Sequence, residues 1–289
     1  MSSRTNGVSV TVLITGARGQ VARAVVDRLH AAGLPLRAAS ARPAELTAPA
    51  GVETVELVLD RPETFAAALR GVRQVFLYPR PAGIHDLVEA AEAAGVEHVV
   101  LLSSSSVLAP GAESDPLASH SLTVERALAD SGLTATFLRP DAFASNALGW
   151  ALPVSRSLPV QLPYPDAHIA PIHPEDIADV AALALTGDSL TGRSLTLTGS
   201  ESLTFREQLA VLSETLGRAI PVEHITRAEA EQQMGRHMPA PMVASLLDLW
   251  EGATHGPAAI GETTDSLLGV PARTYRQWAR ENAAAFSGH

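Results

Sequence analysis

Two glycines and an alanine near the start of the chain, Gly16, Gly19 and Ala22, have the spacing of a phosphate-binding turn. They follow a β-rich apolar stretch and open a stretch with helical periodicity, which is the context such a turn requires. Gly16 permits the tight turn, Gly19 lets backbone approach a pyrophosphate, and Ala22 is small enough for helix–strand packing. The N–H groups of the helix start, at Gln20 and Val21, would bind the phosphates. The pattern favours dinucleotide binding; a turn that uses glycine only for its shape is the alternative.

Two arginines accompany this turn. Arg18 lies inside it, and Arg42 follows the second predicted strand, where ribose selectivity is usually read. Neither position carries the carboxylate that accepts the 2′-hydroxyl of NAD, whereas an arginine can pair with the 2′-phosphate of NADP. The sequence therefore favours NADP(H) over NAD(H); solvated surface arginines are the alternative.

Composition excludes several chemistries, because the chain contains neither lysine nor cysteine. Without cysteine there are no disulfides, thiolate catalysis or cysteine-ligated metals. Without lysine there is no Schiff base and no lysine general base, since arginine stays protonated. The histidines lack a spacing such as H-E-x-x-H, so no metal is predicted. The formal net charge of −10 disfavours nucleic acid as a partner.

Targeting signals are absent from the sequence pattern. The polar N-terminus does not resemble a signal peptide, and no apolar run reaches the roughly 18 residues that a membrane span needs. A cytoplasmic protein without a membrane partner is expected.

Strands and helices alternate regularly through the first half of the chain, which predicts an α/β fold with a doubly wound parallel Rossmann sheet. The predicted strands are 8–14, 34–39, 52–59, 75–78, 98–102, 134–138 and 194–198. The predicted helices are 21–32, 61–69, 85–94, 117–131, 174–185, 204–216, 227–234, 242–250 and 274–286. Glycines at 33, 95, 132 and 217 are expected to cap four of these helices.

The rhythm breaks after Asp141, where four prolines crowd a stretch that reads as loop or short strands. A Rossmann domain is therefore expected over residues 1–150, with 171–198 returning to it. A smaller, mainly helical C-terminal substrate domain is expected over 151–170 and 199–289.

The chain resembles the NmrA-like family, atypical short-chain dehydrogenases that include NADPH-dependent quinone reductases and non-catalytic redox sensors. The resemblance spans almost the whole chain and rests on the order and spacing of six segments. These are LITGARGQVARAVVDRL, GVRQVFLYP, AAGVEHVVLLSSSS, VERALADSGLTATFLRPDAFASN, APIHPEDIADVAAL and GRSLTLTGSESLTFREQLAVLSETLGR. It implies a Rossmann domain, a small C-terminal domain and a cleft between them.

The sequence departs from the family pattern at four places. The usual turn GATG reads GARG, and the usual arginine after the second strand falls at Ala41, beside Arg42. The aspartate near the adenine falls at Val58, with Asp60 two residues on, and the aspartate before a later helix is His173.

Ordinary short-chain dehydrogenases use Tyr-x-x-x-Lys, in which lysine lowers the pKa of the tyrosine that moves the proton. This chain cannot form that dyad, because it has no lysine. Its tyrosines, Tyr78, Tyr164 and Tyr275, also lie outside the helix that would carry it.

Two other side chains are candidates for catalysis. Relatives place His or Lys four residues before the glutamate of that helix, which falls at Ser121, and His120 is its neighbour. A one-residue offset rotates a helical position by about 100°, so His120 is either an acid or an ordinary helix-start residue. Ser104, in the run at the end of the fifth strand, either contacts the ligand or satisfies strand-end backbone groups.

Further candidates follow strand ends, where open α/β sheets bind ligands. Candidates for the cofactor are Asp60, Tyr78, Pro79 and Ser103. Candidates for a substrate pocket are Phe143, Asn146, Trp150 and His173; for the aromatic residues core packing is the alternative.

Three functions remain open at this point. The first is an NADPH-dependent reductase of a quinone or conjugated carbonyl, which needs no dyad because such acceptors can take a proton from water. The second is a non-catalytic NADP(H)-sensing regulator with a protein partner. The third is a non-redox tailoring enzyme, a cyclase or isomerase, on the same fold. The expected ligand is a small molecule, a quinone or an aromatic polyketide-like compound, and a homodimer is left open.

Overall fold

The computed structural model describes residues 11–287, and these fall into two units. The first unit runs over Met1–Ser103, His120–Leu138 and Ala178–Leu195. The second runs over Ser104–Ser119, Arg139–Ile177 and Thr196–His289. Residues 8–10 of the first predicted strand lie outside the described residues.

Eleven strands lie in the described range. They are β1 (Thr11–Ile14), β2 (Leu36–Ser40), β3 (Glu53–Glu56), β4 (Val72–Leu77), β5 (His98–Leu102), β6 (Thr134–Pro140), β7 (Val160–Leu162), β8 (His168–Ile169), β9 (Ser194–Leu197), β10 (Leu203–Thr204) and β11 (Val222–His224).

The described range also holds eleven α-helices, with short 3-10 turns between them. They are α1 (Gln20–Ala31), α2 (Phe65–Leu69), α3 (Ile84–Ala93), α4 (Ser119–Ala129), α5 (Ala151–Ser155), α6 (Pro174–Thr186), α7 (Phe205–Leu216), α8 (Arg227–Met234), α9 (Ala240–Gly252), α10 (Thr264–Leu268) and α11 (Tyr275–Glu281).

Seven strands form one sheet in the order β3-β2-β1-β4-β5-β6-β9. Strands β1 to β6 pair in parallel. Phe137 and Asp141 donate their N–H groups to the carbonyls of Arg193 and Leu197, so β9 runs the same way. The predicted doubly wound parallel sheet is confirmed. Its order reverses between β1 and β4, and ligands of such sheets bind outside the carboxyl ends of the strands at that point.

The central strands of the sheet are largely buried and rich in small and apolar residues. Every residue of β2 and β5 is buried. One apolar cluster joins Leu13 and Leu101 of the sheet to Leu69, Leu87 and Leu128 of α2, α3 and α4. Each fully buried leucine contributes roughly 1.5–3 kcal/mol, so this cluster fixes the helices on the sheet.

The second unit has an aromatic core of its own. Tyr275 and Trp278 stack with ring centroids 5.5 Å apart, and Phe286 meets Trp278 edge-on at 6.2 Å. Two small sheets belong to this unit, one antiparallel between β8 and β10 and one parallel between β7 and β11. Its helix α7 begins with a capping box, in which Thr204 and Glu207 satisfy each other's backbone N–H groups.

Several predicted boundaries were wrong. The helix expected over 61–69 is a 3-10 turn, Pro62–Thr64, followed by the five residues of α2. The helix expected over 117–131 covers Ser119–Ala129, and Gly132, its expected cap, does not adopt the left-handed conformation. The final helix ends at Glu281 and continues as a 3-10 turn, Ala283–Phe286.

The proline-rich stretch is more ordered than its composition indicated. It contains the 3-10 segment Ala144–Trp150, the helix α5 and strands β7 and β8. Pro153 lies in the first turn of α5, where its missing N–H costs no helical hydrogen bond. No helix within residues 11–287 is long and apolar enough to cross a membrane.

Gly83, which precedes α3, offers a test of the packing beside this part of the sheet. Its φ is +67°, and an added Cβ would lie 1.7 Å from the carbonyl oxygen of Leu59. Gly71 has a similar φ of +71° with nothing within 4 Å of the added Cβ. We expect Gly71→Ala to cost about 1–2 kcal/mol of unfolding free energy for the left-handed backbone. Gly83→Ala, which adds a backbone clash, should cost about 3 kcal/mol or more.

Urea denaturation of both variants measures this difference. Equal losses of stability would contradict the close approach of Leu59 to Gly83.

Candidate functional site

The turn after β1 is held by backbone hydrogen bonds to the strands on both sides. The N–H of Thr15 donates to Phe76 in β4 at 2.9 Å, and the N–H of Ala17 donates to Ala39 in β2 at 3.3 Å. Within the turn, the N–H of Gly19 donates to Gly16 at 2.8 Å. The sequence therefore places this turn at the point where the strand order reverses.

Glycine is required at the first position of the turn for two reasons. Gly16 has a φ of +63°, and an added Cβ would lie 2.9 Å from the Cβ of Tyr78. The N–H of Tyr78 donates to the Thr15 hydroxyl at 2.8 Å, which keeps the end of β4 against the turn. At Gly19 an added Cβ would lie 3.3 Å from the Gly16 carbonyl, so this position is also tight.

Helix α1 opens directly from the turn with its N-terminus uncapped by any described side chain. Gly19 is the N-cap residue, and the first turn contains no acidic residue. The first N–H groups of a helix have no partner within it and carry partial positive charge. This end of α1 is therefore suited to an anionic phosphate.

A cavity of about 480 Å³ opens beside this turn, within the first unit. That volume lies in the range of small-molecule and cofactor sites. Apolar residues line much of it, and its charged members are two arginines and one aspartate. The lining residues are Thr15, Gly16, Arg18, Gly19, Ala39, Ser40, Ala41, Leu57, Val58, Leu59, Asp60, Leu77, Tyr78, Arg80 and Ala82.

The residues present fit a dinucleotide. Gly16 and Gly19 line the cavity and present only backbone to it. An uncapped helix start and an arginine, Arg18, stand beside the same cavity. Together they offer backbone donors and positive charge to phosphates.

The structure brings together only some of the residues proposed for the cofactor. Five of them line the cavity: Gly16, Arg18, Gly19, Asp60 and Tyr78. Five are not among its lining: Gln20, Val21, Arg42, Pro79 and Ser103. At the end of β2 the lining residues are Ala39, Ser40 and Ala41 rather than Arg42.

Arg18 and Arg42 meet on a single carboxylate. Nη1 of Arg18 lies 3.3 Å from Oε2 of Glu45, and Nη1 of Arg42 lies 2.9 Å from Oε1 of the same residue. All three side chains are about half exposed or more. No sequence pattern indicated that Glu45 would join the two arginines.

Arg80 is a lining residue that the sequence analysis missed. It is exposed and has no hydrogen bond or ion pair with any other residue of the described range. Its position, two residues beyond Tyr78 at the carboxyl end of β4, was the available signal, because that edge of the sheet is where ligands bind.

The serines at the end of β5 bond within the protein. Ser103 is buried, and its hydroxyl donates to Oε1 of the buried Glu125 at 2.5 Å. Ser104 accepts from the N–H of Ser106 at 3.3 Å, as the N-cap of a 3-10 turn. Glu125 of α4 therefore orients the Ser103 hydroxyl, and the Ser104 side chain caps the 3-10 turn that follows β5.

His120 lies in the first turn of α4 and is exposed, whereas its neighbour Ser121 is buried. This contrast is the consequence of the rotation between adjacent helical positions.

Candidates for the substrate pocket lie in the second unit. Phe143 precedes the 3-10 segment that holds Asn146 and Trp150; Asn146 is exposed, and Trp150 meets Phe205 edge-on at 5.9 Å. His173 is buried, and both of its ring nitrogens are hydrogen-bonded. Nε2 lies 3.0 Å from Oε2 of Glu281, and Nδ1 accepts from the backbone N–H of Glu175 at 3.1 Å. This histidine joins the start of α6 to α11.

Burial raises the pKa of two other titratable groups in the second unit. Burial raises the pKa of Asp141 above its ordinary value, against the opposing effect of hydrogen bonds from the Ser105 hydroxyl and the Ala142 backbone. Burial also raises the pKa of Tyr275, whose hydroxyl has no hydrogen-bond partner in the described part of the chain. A tyrosine in that state cannot serve as a proton donor of lowered pKa.

Residues 11–287 contain no cluster of three or more histidine or carboxylate side chains placed to hold a metal ion. The ion pairs that the structure does contain join side chains to each other, as between Arg28 and Asp179 at 2.5 Å.

Comparisons with known proteins agree with the site. The family described as NAD(P)H-binding matches residues 16–188. A (4-alkanoyl-5-oxo-2,5-dihydrofuran-3-yl)methyl phosphate reductase of Streptomyces griseus is 39% identical over 96% of this chain and 99% of its own length.

Solved structures share the fold. The NADPH-dependent quinone oxidoreductase of Escherichia coli superposes with a TM-score of 0.77 at 25% identity, over 93% of this chain and 98% of that one. NmrA, a negative transcriptional regulator solved with NADP, superposes with a TM-score of 0.73 at 20% identity, over 94% and 95%. The chain therefore belongs to the NAD(P)H-binding family and is an NAD(P)H-dependent oxidoreductase.

Proposed function

We propose that this protein is an NADPH-dependent reductase of conjugated acceptors, quinones or α,β-unsaturated carbonyls, and that it works without a Tyr-Lys dyad. The observation that carries the proposal is the cavity at the glycine turn, with the uncapped start of α1 on one side and Arg18 in its lining. NADPH, when bound, supplies the hydride. The protein supplies the phosphate donors, the orientation and the exclusion of water.

The choice of NADPH over NADH rests on the end of β2. Ser40 and Ala41 line the cavity there, and neither offers the carboxylate that an NAD site uses for the 2′-hydroxyl. Arg18, in the same lining, offers a cation for a 2′-phosphate.

The choice of a conjugated acceptor rests on the missing dyad. Hydride addition to an isolated ketone leaves an alkoxide, which needs a positioned acid. Addition to a quinone or an unsaturated lactone leaves a delocalised anion that water can protonate. The substrate named for the relative from Streptomyces griseus is an unsaturated lactone that carries an alkanoyl group, which supports acceptors of this type here.

The remaining candidates keep proposed roles. His120 and Ser104 are proposed to contact the reacting groups, and Phe143, Asn146 and Trp150 to contact the substrate. His173 is proposed to position α6, since both of its ring nitrogens are engaged. An aromatic polyketide-like substrate, a homodimer and a cytoplasmic location also remain proposals.

Two other functions compete. A regulator that binds NADP(H) without turnover is favoured by the absence of the dyad and would show binding with no acceptor reduced. A non-redox cyclase or isomerase is favoured by the departures at Ala41 and Val58 and would bind neither nucleotide.

Nucleotide binding tests the glycine turn. We expect wild-type protein to bind NADPH in calorimetric titration and Gly19→Asp to lose measurable binding, because a carboxylate there meets the pyrophosphate. Gly252→Asp is the matched control: Gly252 is exposed at the end of α9 and has nothing within 4 Å of an added Cβ. An equal loss in both variants would count against a phosphate site at this turn.

The two arginines of the cavity lining are expected to differ in their effect on NADPH and NADH binding. Arg18→Ala should weaken NADPH binding about tenfold, the value of one charged hydrogen bond, and leave NADH binding unchanged. Arg80→Ala should weaken the binding of NADPH and NADH equally. Arg80 lines the cavity after the end of β4, whereas the 2′-phosphate is expected at the end of β2. If Arg18→Ala weakened NADH as much as NADPH, Arg18 would not read the 2′-phosphate.

Turnover with different acceptors tests the proposed substrate class. The wild-type protein should oxidise NADPH with a 1,4-quinone and with an α,β-unsaturated lactone, and should leave the saturated ketone of matching size unreduced. Loss of the absorbance of reduced nicotinamide measures the rates. Comparable reduction of the saturated ketone would require a positioned acid and contradict the proposed mechanism.

A further inference from the structure

Glu45 stands between two arginines in the way an anion would. Its two carboxylate oxygens are divided between them, Oε2 to Arg18 at 3.3 Å and Oε1 to Arg42 at 2.9 Å. A carboxylate bridging two guanidinium groups presents them with the same kind of acceptor that a phosphate would.

Backbone contacts hold the three side chains in this arrangement. The N–H of Arg42 donates to the Ser40 hydroxyl at 3.1 Å, and the N–H of Glu45 donates to the Arg42 carbonyl at 3.1 Å, closing a 3-10 turn over Pro43–Glu45. On the other side, the hydrogen bond from Ala17 to β2 carries the glycine turn, and with it Arg18, to the same edge.

This edge borders the cavity. Arg18, Ser40 and Ala41 line it, and Ser40 is the last residue of β2, where the ribose of a dinucleotide is read. A 2′-phosphate bound there would compete with Glu45 for Arg18, and for Arg42 if that side chain turned toward the ligand. If the carboxylate stayed in place, it would stand beside a group carrying about −1.5 to −2 charges.

We propose that Glu45 is a specificity-determining residue: a built-in carboxylate that competes with the 2′-phosphate for Arg18 and Arg42 and so reduces the preference for NADPH over NADH. The proposal rests on the function proposed above. It makes the arginine pair a weaker discriminator than two unengaged arginines would be.

The size of the effect is limited by solvent. Exposed ion pairs are weak, and the three side chains are between 48% and 63% exposed. Displacing Glu45 is therefore easy, and its removal should change affinity by roughly threefold to tenfold rather than by orders of magnitude.

Binding of nucleotide fragments tests this without any turnover. Adenosine 2′,5′-bisphosphate carries the 2′-phosphate and 5′-AMP lacks it, so their dissociation constants isolate that group. Both are measured by calorimetry, with NADPH and NADH alongside, on wild type, Glu45→Gln and Glu97→Gln. Glu97 is the matched control, an exposed glutamate 3.6 Å from Arg73 and outside the cavity lining. Its variant changes net charge equally.

We expect Glu45→Gln to bind the 2′,5′-bisphosphate and NADPH about threefold to tenfold more tightly, with 5′-AMP and NADH unchanged and with Glu97→Gln like wild type. Unchanged or weaker binding of the bisphosphate would overturn the proposal, because Glu45 would then be inert or would position the arginines. Equal tightening in both variants would overturn it as a general charge effect. Failure of wild type to bind any of the four ligands would overturn the proposed function itself, and this inference with it.

Discussion

The close approach of the β1 turn to the end of β4 is the contact on which the site depends. Neighbouring parallel strands diverge at the point where the sheet order reverses, and a ligand can enter only if the backbone there is bare. Gly16 lines the cavity without a side chain, and it lets Tyr78 lie against the turn, where any Cβ would collide. The Thr15 hydroxyl fixes the distance by accepting from the Tyr78 N–H. Gly16, Arg18 and Gly19, which line the cavity, are held in place by this contact.

Most of the first unit could be predicted from sequence, because the signals there are local. Strand β5 has the predicted bounds, since its five apolar-rich residues are buried on both faces and flanked by clear turns. In the second unit, helix α8 also has the predicted bounds, and Thr226 with Glu229 forms the capping box that starts it. The failures lie where tertiary packing decides. The residues before α2 tighten into a 3-10 turn around the Thr64 hydroxyl, which bonds to the Arg61 carbonyl, and strands as short as β8 and β10 have no periodicity to detect.

The site was predictable to the extent that it is made of backbone. Gly16 and Gly19 are recognised by spacing, because a phosphate turn places a geometric demand on the chain at fixed intervals. The charged residues around the cavity are harder to predict. They follow different strands, and which of them pair depends on where their side chains meet in the fold. The sequence predicted that Arg42 contacts the cofactor. In the structure Ala41 lines the cavity, and Arg42 pairs with Glu45. Arg80 and Glu45 carry no motif, and only the fold brings them to this edge.

Because the chain has no lysine, its chemistry cannot use the Tyr-Lys dyad. A short-chain dehydrogenase without its dyad has no lysine to lower the pKa of a tyrosine. Here burial instead raises the pKa of Tyr275. What such a protein can still do is hold two partners in register and keep water from the hydride path, and these tasks need shape and phosphate contacts rather than acids. A reaction whose product anion is already stabilised by conjugation requires no more than that. The same features that weaken the case for general acid catalysis therefore narrow the proposed class of acceptor. They leave cofactor choice, which we propose depends on Arg18, Arg42 and Glu45, as the property most open to tuning by single residues.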